Sequence, residues 1–288
     1  MISMFTEERK RAMKKLLDDD SSVVRKALME ELCRHGAEGV QFLRELSEGQ
    51  NRILAVHARD LLEIMGKQDT LSSFSKFIQS FHYELETGCL LLDRTVYPDL
   101  DIGSVCFFID KLATRCRELM VLPGTVLERC KVLNRVIFHE FGFRGDVENF
   151  YDPANSYLSQ VIDRRKGIPI TLSILYILVG QRCNLPLDPV SVPGRFMVGC
   201  FEEEEPFYID AFERGIFRSA DEVERMVGRH FGEKDYAYLN PCPVGEVLCR
   251  CCRNLVNQYS TCNNRKMARI YTSFVNEFEA TYRKQAQS

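Results

Sequence analysis

The stretch Gly167–Cys183, GIPITLSILYILVGQRC, restricts the fold more than any other. Ile170, Leu172, Ile174, Leu175, Ile177, Leu178 and Val179 follow one another with almost no polar relief. Pro169 suits the first helical position, where its missing N–H would have no intrahelical partner anyway. A helix that is apolar on every side must be enclosed by protein or by lipid. This one is shorter than the roughly 20 apolar residues needed to cross a bilayer. It therefore predicts the buried central helix of a soluble domain, for which the rest of the chain must supply the cover.

The chain of 288 residues is long enough for that cover. Its acids and bases are interspersed and sum to a formal charge of −3. That balance argues against a nucleic-acid binder, which usually carries a basic excess or stripe. Met1–Lys15 is charged and amphipathic and has no apolar signal core, so the expectation is a cytoplasmic protein that is neither secreted nor membrane-bound. In that reducing setting the twelve cysteines are read as thiols. Cys33, Cys89, Cys106, Cys116 and Cys130 sit in apolar helical patterns and are expected to be small buried hydrophobes. Cys242, Cys249, Cys251, Cys252 and Cys262 lack zinc-ligand spacing, because Cys251 and Cys252 are adjacent and no second C-x-x-C pair exists. No metal and no cofactor is predicted.

In chain order, residues 1–68 read as helices with a weak repeat of about 30 residues. Asp20, Ser21 and Ser22 offer N-cap chemistry, and Gly36, Gly39 and Gly66 are expected at helix ends. Residues 69–142 continue as helices, with Leu71, Phe74, Phe77, Ile78 and Phe81 in the 3.6-residue period and Asp99 or Asp101 as a cap. Residues 143–220 change character. Phe143–Asp146 reads as a turn and Asp152-Pro153 as the start of a short helix. Arg164, Arg165 and Lys166 fill that helix's last turn, and Gly167 stops it. After the central helix the period becomes that of strands, around Val190–Val192, Phe196–Val198 and Phe207–Ile209, with Glu202–Pro206 as an acidic hairpin tip. Residues 221–288 return to helix, as a pair broken near Cys262–Asn264.

The blocks Gly142–Gly145, Asn155–Leu158, Val161–Ile170, Leu172-Ser173, Leu185–Leu187, Pro193–Phe196 and Ile209–Phe212 carry a resemblance. Together, in this order, they look like the transglutaminase-like core of the bacterial SirB-type family, over about Tyr83 to Phe217. The tail is similar to the tetratricopeptide-like helices of that family, and the N-terminal segment resembles HEAT repeats. The resemblance implies an α+β, predominantly helical fold. A papain/transglutaminase-like core would have its central helix on a small antiparallel sheet and be flanked by helical repeats. Catalytic relatives place Cys at the start of the central helix, His on the next strand and Asp on the one after. There the helix N-terminus lowers the thiol pKa and the carboxylate orients the imidazole.

This chain matches only the acid, Asp210. The helix start, Ile168–Ile170, has no thiol, and Arg195 stands where many SirB-type members have His. An arginine stays protonated and cannot act as a base. Thr171, Ser173 and Cys200 are weak substitute nucleophiles, since none has a base beside it in the pattern. The ligand-contacting candidates are Arg195 and Asp210, expected as a bidentate pair on neighbouring strands. Pro169 at the helix N-terminus, the basic residues Arg164 and Arg165, and Asn155 complete the set. The sequence thus predicts a non-catalytic binding or scaffold protein, with a protein or peptide partner and an undetermined oligomeric state. The alternative is a hydrolase or acyl-transferase of the same superfamily with a non-standard nucleophile.

Overall fold

The computed structural model describes residues 6–17, 21–49, 51–227 and 236–285. The chain forms two compact units, residues 1–73 and 74–288. In the first, α1 (Glu7–Leu17), α2 (Ser22–Arg34), α3 (Ala37–Ser47) and the start of α4 (Arg52–Gln79) are helical because their apolar residues recur every three or four positions. Met13, Leu17, Leu28, Leu32, Phe42, Leu43, Ala58, Leu61 and Met65 close the core. His57 donates from Nδ1 to the Leu17 carbonyl at 2.9 Å, a structural role. Asn51 opens α4 by accepting from the Ile53 and Leu54 amides at 3.1 and 3.3 Å.

Two glycines differ from expectation. Gly39 and Gly66 lie inside α3 and α4 rather than at helix ends. A Cβ on Gly39 would strike the Leu32 carbonyl, so the missing side chain is what lets α3 approach α2. Gly36, at φ 54°, does precede a helix. Ser21 takes the N-cap position of α2 without a side-chain capping bond, and Asp20 lies outside the described residues.

The second unit continues with α5 (Leu85–Arg94), α6 (Ile102–Leu119) and α7 (Val126–Asn134), which runs into a π-helical turn, Arg135–Glu140. Of the two caps considered for α6, Asp101 fills the role, accepting from Ser104 N at 3.3 Å. Thr125 and Glu128 form a reciprocal capping box on α7. Next come β1 (Arg144–Gly145), a 3-10 turn (Pro153–Ser156), α8 (Leu158–Arg164) and β2 (Lys166–Gly167).

The predicted turn at Phe143–Asp146 thus contains a strand, which pairs in parallel with β2. Asp152-Pro153 opens the 3-10 turn, not α8. The N-terminus of α8 is satisfied from elsewhere: the Asp93 carboxylate accepts from Leu158 N at 3.0 Å and Ser159 N at 2.6 Å. Gly167 does not end α8 either. Arg165 does, by taking a left-handed conformation at φ 57°.

The central helix is α9 (Pro169–Arg182), with every residue from Ile170 to Gly180 buried. It packs on α6 and on β3 (Asp188–Val190) and β4 (Met197–Cys200). These join β5 (Phe207–Asp210) and β6 (Ile216–Ser219) in an antiparallel sheet of order β3-β4-β5-β6. The expected helical α+β architecture is therefore present. Glu202–Pro206 is the β4–β5 connection, but Glu203 is more than solvated: it accepts from Val126 N, at the start of α7, at 3.0 Å.

After α10 (Ala220–Val227) and a 3-10 turn (Tyr236–Leu239), α11 (Val244–Thr261) and α12 (Arg265–Gln285) pair antiparallel. Their predicted break at Cys262–Asn264 is present. Buried hydroxyls dock this pair on the unit. Tyr157 is hydrogen-bonded to Tyr259 and Tyr271 at 3.0 and 2.6 Å, Tyr271 to Thr95 at 2.7 Å, and Ser156 donates to Gln258 at 2.7 Å.

Candidate functional site

Asp210 ends β5 and is almost fully buried, at 2% exposure. Arg195 lies in the turn before β4, after Gly194 at φ 73°, rather than on a strand beside Asp210. Its Nη1 donates both to Asp210 Oδ2 at 2.8 Å and to Glu213 Oε1 at 2.9 Å. One nitrogen is thus shared between two carboxylates, and the bidentate pair expected from the sequence is not formed. Arg218, on β6, completes the group through Glu213 at 2.6 Å and lies 3.9 Å from Asp210.

Two cations and two anions cancel. Burial pushes the Asp210 carboxyl above its ordinary pKa, against the Glu213 amide and the two guanidinium groups that draw it down. Glu213 is held below the usual carboxylate range, chiefly by its hydrogen bond with Arg195. Arg195 is pushed further above its already high value, chiefly by Glu213. Its charge is spent inside the cluster, so it does not present the open positive group the sequence suggested.

Beside the cluster is a pocket of about 80 Å³. Ile168, Pro169 and Ile170 at the α9 N-terminus form one wall, the Gly194–Phe196 turn another, and Phe150 and Tyr151 the mouth. The remaining wall is a face of α11: Arg250, Asn254, Asn257 and Gln258. Their spacing of four, three and one places them on one side of a helix.

Arg250 is the group sequence reasoning missed. It donates to Ser191 Oγ at 2.5 Å and to the carbonyls of Val192 and Arg195 at 3.2 and 2.8 Å, and it lies 5.5 Å from the Phe196 ring centre. All these oxygens are neutral, and no described carboxylate forms an ion pair with it. Burial lowers its pKa. The signal was present: Arg250, Asn254, Asn257 and Gln258 form a polar stripe beside the apolar face of Leu248, Cys252, Leu255 and Tyr259.

The other predicted residues fall elsewhere. Thr171 is buried, and its hydroxyl has no hydrogen-bond partner among the described residues. Ser173 donates to the Phe196 carbonyl at 3.4 Å. No imidazole or free carboxylate stands among the bonded partners of either hydroxyl. Cys200 is buried at the end of β4, and burial pushes its thiol pKa up, the opposite of an activated nucleophile.

Asn155 is buried behind the start of α9. It donates to the Asn149 carbonyl at 2.8 Å, and its own carbonyl lies 3.5 Å from Ile168 N. The basic trio does not join the pocket. Arg164 pairs with Asp152 at 2.8 Å and Asp146 at 3.5 Å, and Lys166 lies 3.8 Å from Asp146. Arg165 stacks on Phe108 and Phe143 at 4.2 and 4.8 Å. Among the described residues no three His, Cys, Asp or Glu side chains gather to hold a metal ion, and no helix is long and apolar enough to cross a membrane.

A family model described as the transglutaminase-like superfamily matches residues 104–253, and the chain belongs to that superfamily. The match takes in α6 through the first half of α11, and so includes Arg250 as well as Arg195 and Asp210. A UPF0162 protein of Xylella fastidiosa (strain 9a5c) is 35% identical over 189 residues, covering 62% of this chain and 66% of that protein. F-box only protein 21 of Mus musculus is 33% identical over 234 residues, 70% of this chain and 37% of that protein. A UPF0162 protein of Vibrio cholerae is 29% identical over 134 residues, 46% of this chain and 50% of that protein. The chain therefore spans just under two thirds of the first relative and little more than a third of the mouse protein. No solved structure matches.

Proposed function

We propose that this chain is a non-catalytic binding protein of the transglutaminase-like superfamily, using the cleft at the α9 N-terminus to recognise a segment of another protein. The observation that carries the reading is the closed cluster of Arg195, Asp210, Glu213 and Arg218. Where the resemblance places an imidazole next to its orienting acid, the acid is occupied by a guanidinium that gives up no proton. Ile170 offers no nucleophile at the helix start. The hydroxyls of Thr171 and Ser173 have no base, and the Cys200 thiol is held protonated by burial.

The match to F-box only protein 21, which covers 37% of that protein, supports a core that can be built into a longer chain. The helices of residues 1–68 and 221–288, which we read as HEAT-like and tetratricopeptide-like flanks, add surface for such contacts. All twelve cysteines are free thiols, in keeping with a reducing, cytoplasmic setting.

Labelling the native chain with thiol- and hydroxyl-directed electrophiles tests the reading. Reaction is expected at Cys262 and at Cys33, which is exposed and not the buried thiol its helical pattern suggested, with Thr171, Ser173 and Cys200 untouched. Selective, stoichiometric modification of any of those three would overturn the reading in favour of an enzyme.

A further inference from the structure

The pocket beside Arg195 carries a charge that its own walls do not answer. Arginine has five N–H donors. Arg250 spends three of them on Ser191, Val192 and Arg195, all neutral acceptors. A half-buried guanidinium facing a cavity without a carboxylate partner is incompletely compensated, and an anion entering that cavity would compensate it. The facing wall adds to the attraction. Ile170 carries a first-turn amide that no carbonyl of α9 can reach, and the helix dipole places partial positive charge there.

The remaining wall consists of amides. Gln258 is 3% exposed; its Oε1 is fixed by Ser156, which leaves its Nε2 donor directed away from that bond. Asn254 and Asn257 lie along the same face. Side-chain amides both donate and accept, as a peptide bond does. A volume of about 80 Å³ admits one small polar group, not a folded surface. Phe150 and Tyr151, 39% and 51% exposed at the mouth, provide an apolar seat for the side chain next to that group.

We propose that this pocket binds the carboxylate of a peptide, with Arg250 as the counter-charge, the buried Gln258 amide beside it, and the more exposed Asn254 and Asn257 amides on the adjoining peptide groups. Arg195 is the strut and Arg250 the reader. The proposal rests on the binding function argued above and names its ligand chemistry. A chain terminus and an acidic side chain present the same group, so the experiment separates them.

The test titrates the full chain with three peptides: N-acetyl-Gly-Gly-Phe as the free acid, the same peptide amidated, and amidated N-acetyl-Gly-Glu-Phe. Calorimetry or saturation-transfer NMR reads the affinity. The free acid should bind, at about 1 mM or tighter, and the first amide at least about tenfold more weakly. Binding of the Glu peptide as well as the free acid identifies the carboxylate itself as the determinant. Binding of the free acid alone assigns the site to chain termini.

Arg250→Gln should remove the preference for acid, and Arg250→Lys should retain part of it. Because Arg250 also clamps the turn before β4, Asn254→Asp is the second variant. It leaves the clamp in place, adds a repelling charge and should weaken the free acid by about tenfold or more. Equal binding of acid and amide, unchanged by Asn254→Asp, overturns the carboxylate assignment while leaving a peptide-binding protein. Absence of binding by all three peptides also overturns it, and the non-catalytic reading is then decided by the labelling experiment alone.

Discussion

The guanidinium of Arg250 donates to the backbone carbonyl of Arg195 at 2.8 Å, so one arginine holds the turn that aims the other. The first contributes position and an unanswered charge. The second contributes an ion cluster that leaves no charge over. This division explains how the cleft keeps a carboxylate, Asp210, in a buried place: Arg195 meets its charge there.

Breaking that cluster from one side should destabilise the protein. Arg195→Met leaves Asp210 buried, with Arg218 3.9 Å away and the Glu213 amide as its remaining support. Loss of a partner from a buried pair costs about 3–5 kcal/mol, but Arg195 is 41% exposed and partly screened, so about 1–3 kcal/mol is expected. Adding Asp210→Asn should recover part of the loss, because the two residues share one interaction. Urea unfolding of both single variants and the double variant measures this; strict additivity would contradict it.

Asp93 should make stability depend on pH in the direction opposite to most carboxylates. Burial raises its pKa from 3.8 to about 7, although the Leu158 and Ser159 amides and the Ser159 side chain pull it down. Between these values the folded state holds a proton that the unfolded state has released. The contribution is therefore full below pH 3.8 and lost as the pH climbs to about 7. The span corresponds to at most about 4 kcal/mol. Unfolding free energies of wild type and Asp93→Asn across this window should differ by a pH-dependent amount, with the Asp93→Asn variant gaining relative stability as pH rises. A constant difference would rule the effect out.

Gly145→Ala should damage the cleft mouth at a distance. A Cβ there would meet the Phe212 ring at 2.5–2.7 Å, and Phe212 packs edge-on against Phe150, 6.0 Å between centres. Overpacking of this kind costs about 1–3 kcal/mol. Thermal melting should show the destabilisation, and the free-acid tripeptide should bind more weakly because Phe150 loses its seat. Intact binding in a destabilised variant would separate Phe150 from the site.

The central helix was readable because apolar residues on all sides admit one environment, and the strands because their period changes after Leu185. The Arg195–Asp210 pairing was readable through the order of the motif blocks, though not its geometry, since Glu213 competes for the same nitrogen. What escaped was what short or distant relations decide. The β1–β2 ladder is two residues long, too brief for any period to register. The left-handed turn at Arg165 falls on a residue type that rarely takes it. The basic trio looked like an anion site because Asp146 and Asp152, which neutralise Arg164, lie well upstream in the chain. Arg250 escaped because its acceptors lie 55 to 59 residues away.

The hydroxyl and amide bonds that seat α11 and α12 decide where the protein can be cut. A version stopped after β6 would strip Ser156 and Tyr157 of their buried partners in one stroke, and leave Thr95 only the Leu92 carbonyl. The turn bearing Arg195 would lose its anchor as well. What reads as a trailing pair of helices is a brace, tied by its buried hydroxyls and amides to the elements that carry the cleft.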